Sequence, residues 1–176
     1  MMGMEHGDPE AWAEIYNHYK DPLYRFCSRF VKNHEEAEDL LHEIFLRVQE
    51  RSEQFLRGAP LRPWLYGIAR HACLDHIKKK KLPRWQDCWS SRIIEEKMVD
   101  STESPLSKMV HSEEYQHLNA CLEDLNEDVR SAVLLKHVEG LSRQEIGEIM
   151  GLSESKVKNL LFSGMQALKK KISKNF

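Results

Sequence analysis

Three stretches of this chain carry residue types, at spacings, that can do chemistry on a polyanion or hold a partner protein. The last of them runs from Ser142 through Glu145, Ile146, Ile149, Met150, Gly151, Leu152 and Ser153 to Lys156, Val157 and Lys158. It reads as a helix, a tight glycine turn and a second helix, with Gly151 suited to a C-cap and Ser142 and Ser153 to N-caps. In such a helix-turn-helix the second helix enters the DNA major groove N-terminus first. On a helical wheel Val157, Leu161, Met165, Leu168 and Ile172 cluster within about 80°, an inner stripe. Ser155, Lys156, Asn159, Phe162, Ser163 and Gln166 fall opposite, on a face that is small, polar or basic. Lys156 and Lys158 suit phosphates, Asn159 suits a bidentate contact to adenine, and Phe162 suits a thymine methyl. Arg143, Ser153, Ser155 and Ser163 complete the candidate surface. The bland alternative is a helical hairpin with a solvated face.

A second stretch joins a glycine-containing loop at Arg57 and Gly58 to a basic, aromatic helix with Arg62, Trp64, Tyr66, Arg70 and His71, then Asp75 and Lys78 to Lys81. Basic groups interleaved with aromatics suit unstacked, single-stranded nucleic acid. Arg70 lies about 200° around the helix from Ile68, away from the inner face. Trp64 and Tyr66 read first as core packing. The third stretch, Glu35, Glu36, Glu38, Asp39, His42, Glu43 and Phe45, is a poor DNA surface. It is either a solvated face or a docking face for a protein.

The elements that must position these groups are helices throughout. Asp8 and Pro9 open a long amphipathic helix in which Trp12, Ile15, Tyr16, Tyr19, Leu23, Phe26, Cys27 and Phe30 recur at spacings of three and four, with a kink possible at Pro22. Asn33 or His34 starts a second helix with Ala37, Leu40, Leu41, Ile44, Phe45 and Val48 as its stripe. A third begins near Pro63, buries Leu65, Ile68, Ala69 and Ala72, and stops at Pro83. Periodicity is lost over 83–104 and resumes at Leu106, with helices expected at 106–124, 127–138, 142–150 and 154–172. The expected fold is all-α: two small helical domains, 1–82 and 106–176, joined by a flexible linker over 83–105, the C-terminal domain a helix-turn-helix.

Composition bounds the function. The 176 residues are 41% hydrophobic and 31% charged, as in a globular protein rather than a disordered one. The net charge of −2 hides a pattern: 57–84 holds 8 basic and 1 acidic residues and 155–176 holds 6 basic and none acidic, whereas 111–154 holds 3 basic and 10 acidic. Two cationic surfaces on two acidic bodies suit polyanions. No apolar run reaches the ~20 residues of a bilayer span, and Met1 to Asp8 has no secretory pattern, so a cytoplasmic protein is expected. Cys27, Cys73, Cys88 and Cys121 form no CxxC pair and read as reduced thiols. Nine histidines are present, but HExxH, a P-loop and Gly-x-Ser-x-Gly are all missing. Neither an enzyme nor a metal or other cofactor is expected.

Taken together, the three stretches resemble bacterial RNA polymerase sigma factors of the extracytoplasmic-function (ECF) class, over about 8–82 and 106–172. The run from Ala37 to Phe45 looks like the helix that binds core polymerase, the run from Trp64 to Arg70 with Asp75 like the −10 reader, and Leu141 to Leu168 like the −35 reader. The resemblance implies a promoter-specificity subunit. Asp39, His42, Glu43 and Phe45 would meet the polymerase β′ clamp helices, with the β flap a further contact. Arg57, Gly58, Arg62, Arg70, His71, Lys78 and Lys79 would handle the −10 element, capturing a flipped base and helping to open DNA without ATP. Arg143, Ser153, Ser155, Lys156, Lys158, Asn159, Phe162 and Ser163 would read the −35 element as duplex. It also implies an anti-sigma partner. A 22-residue linker reaches about 70 Å, enough for promoter elements roughly 50–60 Å apart. His42 stands where the family usually has Gln, His71 where it usually has Asn, and Leu160, Ser163 and Met165 where it usually has arginines. A stand-alone helix-turn-helix regulator is the competing reading, and it leaves the acidic helix and the Trp64–Lys81 segment unexplained.

Overall fold

The computed structural model describes residues 9–31, 33–55, 59–81 and 113–172. Arg57, Gly58, Cys88 and the expected linker lie outside these residues. Within them are seven α-helices, one 3-10 turn and no strand. The local signals account for most boundaries. Helix α1 (Pro9–Cys27) includes Pro22 and buries Leu23, Tyr24, Phe26 and Cys27. It stops three residues short of the periodic pattern: the Ser28 hydroxyl donates to the Arg25 carbonyl and the Phe30 N–H to the Cys27 carbonyl, closing a tight turn. Phe30 is buried nonetheless.

Helix α2 (His34–Glu50) is capped by Asn33, whose side chain accepts from the Glu36 N–H at 2.8 Å. Glu35 and Glu36 complement the helix dipole in the first turn. After the 3-10 turn Ser52–Gln54, helix α3 (Leu61–Lys81) packs on α1 and α2. Arg47 of α2 ties the pair together, reaching Glu43 at 2.6 Å and Asp75 of α3 at 3.0 Å. Glu36 does the same from the other end, taking Lys80 at 2.6 Å and His76 at 3.1 Å. Cys27 and Cys73 are free thiols whose sulfurs lie 4.0 Å apart in this core, and Cys121 is free and buried in the other. Burial pushes the Cys73 thiol well above its ordinary pKa.

The second group of helices is α4 (Glu113–Glu123), α5 (Glu127–His137), α6 (Arg143–Met150) and α7 (Glu154–Ile172). Leu122, Leu134, Leu135, Leu141, Ile146 and Val157 fill its centre. The inner stripe of α7 differs from the wheel: Val157 and Leu168 are buried, but Met165 and Ile172 are exposed, and Gly164 takes the position against α5. A β-carbon on Gly164 would stand 2.6 Å from Val133 Cγ2 and 2.9 Å from Val129 Cγ1. The missing side chain lets two helices approach, which a wheel that counts apolar bulk does not register.

The two groups touch. Helix α3 packs against α5 and α6. Charged side chains of opposite sign on α3 and α5 supply a contact between them that no local periodicity encodes.

Candidate nucleic-acid interface

The helix-turn-helix is assembled from short-range devices. Ser142 and Glu145 form a reciprocal capping box: the Ser142 hydroxyl accepts the Glu145 N–H at 3.1 Å, and the Glu145 carboxylate accepts the Ser142 N–H at 2.7 Å. The hydrogen bond from the Ser142 backbone, then that from its side chain, lowers the Glu145 pKa. Gly151 closes α6 in the left-handed region, with φ 65°, and the Leu152 N–H bonds the Gly147 carbonyl at 2.9 Å. A β-carbon at Gly147 would meet the Leu152 carbonyl oxygen at 2.6 Å, so the turn can fold back this tightly only over glycine. The Val157 N–H then bonds the Ser153 carbonyl at 3.0 Å and α7 is under way.

On α7 the outward face is as expected. Ser153, Ser155, Lys156, Lys158, Asn159, Phe162 and Ser163 are all exposed, as is Arg143 at the start of α6. Phe162 is 66% exposed, a large ring left in water at the centre of a polar face. The Ser163 hydroxyl donates to the Leu160 carbonyl at 3.0 Å, which leaves its lone pairs to face outward.

The acidic helix presents a mixed face. Asp39 and His42 are exposed, and Glu43 is half-buried through its pair with Arg47. Phe45 is half-buried, its ring 4.7 Å from that of Tyr16 on α1. Tyr16 and Leu46 are exposed apolar groups beside it, and the Lys20 ammonium lies 6.0 Å from the Tyr16 ring. Tyr16 belongs to the α1 stripe that the spacing assigned to the core. Three- and four-residue periodicity cannot tell which end of a long stripe outruns the neighbouring helix.

The basic helix α3 departs most from expectation. Lys78, Lys79 and His71 are exposed. The His71 Nδ1 lies 2.7 Å from the Gly67 carbonyl. A carbonyl can only accept, so Nδ1 carries the proton and the outward Nε2 is left as the acceptor of the neutral ring. Arg70, however, is only 7% exposed. It points away from the core of its own helices, as its angle predicts, but into the second group, where it donates to the Asp128 carboxylate of α5 at 2.5 Å. The reading of Arg70 as open to nucleic acid is corrected accordingly. The Arg62 guanidinium bonds the Glu139 carbonyl, and the Tyr66 hydroxyl donates to the Glu139 carboxylate. Tyr66 is buried, as expected, and half-buried Trp64 packs on Phe55 with ring centroids 5.0 Å apart. Burial pushes the Glu139 pKa up, against the lowering influence of Tyr66 and Arg62. Burial raises the Tyr66 phenol as well, and its bond to Glu139 adds to the rise.

Residues 15–82 match the family description Sigma-70 region 2, and residues 115–168 match Sigma-70, region 4. The chain is 31% identical over 170 residues to the ECF RNA polymerase sigma factor SigW of Bacillus subtilis, covering 94% of this chain and 91% of that protein. It is 30% identical over 156 residues to SigM of the same organism, covering 89% and 91%. Among solved structures, CnrH in complex with the cytosolic domain of CnrY shares the fold at a TM-score of 0.74, with 16% identity over 99% of this chain and 96% of that one. RpoE from Bartonella quintana in complex with the anti-sigma factor NepR has a TM-score of 0.73 at 20% identity, over 93% and 98%. The class is thus the sigma-70 family of transcription initiation factors. Within it, this chain belongs to the ECF RNA polymerase sigma factors, which confer promoter recognition at initiation.

Proposed function

We propose that the three surfaces divide the work of a sigma factor within modules bounded as 1–82 and 106–176, with 83–105 between them. Asp39, His42, Glu43 and Phe45 dock on the β′ clamp helices of core polymerase, with the β flap a further contact. The α7 face reads the −35 element as duplex: Lys156 and Lys158 set the register on phosphates while Asn159 and Phe162 meet base edges. Helix α3 handles the −10 element, where Arg62, Arg70, His71, Lys78 and Lys79 with the loop at Arg57 and Gly58 hold the non-template strand and a flipped base. Flipping costs a few kcal/mol, which contacts in a fitted pocket offset, so no ATP is needed. The outward Nε2 of His71 offers an acceptor where the family's Asn offers both a donor and an acceptor, so a base edge with a donor suits it best. The protein acts without enzymatic chemistry or cofactor, in the cytoplasm, under control of an anti-sigma partner. Among the described residues no helix is long and apolar enough to cross a membrane.

The observation that carries this reading is the α7 face: a capped, glycine-tightened turn delivers a helix whose N-terminal half exposes Lys156, Lys158, Asn159, Ser155, Ser163 and a bare Phe162. In vitro transcription from a promoter library with core polymerase and this protein tests it. Enrichment of promoters sharing two spaced elements is the expected result. A protein that binds duplex DNA but neither joins core polymerase nor directs initiation would instead be a stand-alone regulator.

A further inference from the structure

We propose that Cys27 and Cys73 form a dithiol that a hydroperoxide oxidises to a disulfide, stapling α1 to α3. Both thiols are free and 0% exposed in the core of the first helical group, and the Cys73 S–H donates to the Cys27 sulfur at 4.0 Å. The two residues stand 46 positions apart, so the fold makes this contact and chain proximity does not. A disulfide holds its sulfurs about 2 Å apart, so the pair closes through a sulfur movement of about 2 Å, which rotations about χ1 at the two cysteines supply. Among the described residues no group of three or more His, Cys, Asp and Glu side chains could hold a metal ion, which sets the pair apart from a metal-ligand set. The ring that the bond closes contains the whole of α2, and with it Asp39, His42, Glu43 and Phe45.

Position along the helices sets the order of events. Cys27 is the last residue of α1, and its carbonyl already accepts the Phe30 N–H of the tight turn that follows. Helix ends open locally at lower free energy than helix centres, so Cys27 is the sulfur that meets peroxide. Cys73 lies inside α3, where burial first and the hydrogen bond with Cys27 second hold its thiol well above the ordinary pKa and keep it from reacting on its own. The Cys27 thiolate attacks one peroxide oxygen: the S–O bond forms, the O–O bond breaks, and the departing hydroxide takes a proton to become water. The Cys73 sulfur then attacks the Cys27 sulfur: the S–S bond forms, the S–O bond breaks, and hydroxide leaves with the Cys73 proton as a second water. The two sulfurs together lose two electrons, which reduce one peroxide to two waters. Burial drives the second step, because a sulfenic acid is a polar group in an apolar core and the disulfide is neutral and apolar.

The test uses the full chain. The protein is held with hydrogen peroxide in buffer and in sub-denaturing urea, alkylated with iodoacetamide under denaturing conditions, and digested with trypsin without reductant. Trypsin releases Cys27 on the peptide 26–29 and Cys73 on the peptide 71–78, so mass spectrometry reads their crosslink directly. The expected main product is these two peptides joined, and dithiothreitol should part them. The oxidised protein should also unfold at a urea midpoint about 1–2 M above that of the reduced protein, because the closed ring restricts the unfolded chain. Cys73→Ala should show neither the crosslink nor the shift, and Cys121→Ala should keep both. Recovery of Cys27 and Cys73 as alkylated thiols in both solvents, as separate sulfinic acids, or joined mainly to Cys88 or Cys121 would overturn the dithiol. A crosslink that leaves the midpoint unmoved would overturn the staple. Should Cys73→Ala unfold, the peptide map of the unsubstituted protein and its reversal by dithiothreitol decide the matter alone.

Discussion

At the residue scale, charge works in two regimes here. Exposed cations on α7 act singly and are readable one at a time. Lys156→Ala should weaken −35-dependent initiation almost uniformly across promoter sequences and reduce the salt slope of DNA binding by about 0.9, one phosphate's worth, in a titration at several salt concentrations. Partly buried groups act in sets. Desolvation raises the Glu36 pKa, but hydrogen bonds from Lys80 and His76 outweigh it, and the net shift is downward from 4.5. A carboxylate lowered in the folded state stabilises that state fully above its unfolded pKa and loses the contribution as pH falls through the folded one. Wild type should therefore exceed Glu36→Gln in urea midpoint at neutral pH, and the gap should close as the pH drops below about 4.5. Arg70 shows what residue types alone conceal. Its angle on α3 was legible, but its exposure was not, because the carboxylate that covers it lies 58 positions along the chain.

At the element scale, helix starts and stops were largely written in the sequence. Asn33, Asn126 and Ser142 each cap by bonding a backbone N–H two or three residues on, and Gly151 sits where the left-handed conformation is needed. Such devices span a single turn, so sequence exposes them. The seam between α5 and α7 is different, since it depends on which residue meets which across space. Gly164→Val would press methyl groups into Val129 and Val133, β-branched side chains that cannot swing aside within a helix. It should cost about 1–3 kcal/mol of stability, measured by denaturant unfolding, as overpacking does elsewhere. A shift in the midpoint of less than the equivalent of ~0.5 kcal/mol would mean the helices slide apart freely. Tyr16 errs in the opposite sense: its place in a long apolar stripe says core, yet it stands in water beside Phe45 and extends the face that carries Asp39.

At the scale of the whole molecule, the surfaces sit on different helices and should act independently. Asp39→Ala should weaken binding to core polymerase about fivefold, the equivalent of ~1 kcal/mol for a partly exposed charge, and leave binding of the isolated protein to duplex DNA unchanged. Combined with Lys156→Ala, the two losses in initiation should add in free energy within about 0.5 kcal/mol. Strong coupling would mean that the acidic helix and the recognition helix share a partner. The alternating acidic and basic blocks, net −6 over 1–56, +7 over 57–84, −7 over 111–154 and +6 over 155–176, gain a second meaning at this scale. The basic block over 57–84 meets the acidic block over 111–154 through Arg70 with Asp128 and Arg62 with Glu139.

The sequence by itself determined the helices, their caps, the glycine turn of the helix-turn-helix and the charge of each face, because each of these is settled within a few residues along one element. Only the tertiary structure decided which cations are free and which are covered, where Gly164 lets two helices meet, and that Tyr66, Arg62 and Arg70 share carboxylate and carbonyl partners more than fifty residues away. Burial and pairing are properties of what arrives from elsewhere in the chain, and periodicity carries no record of it.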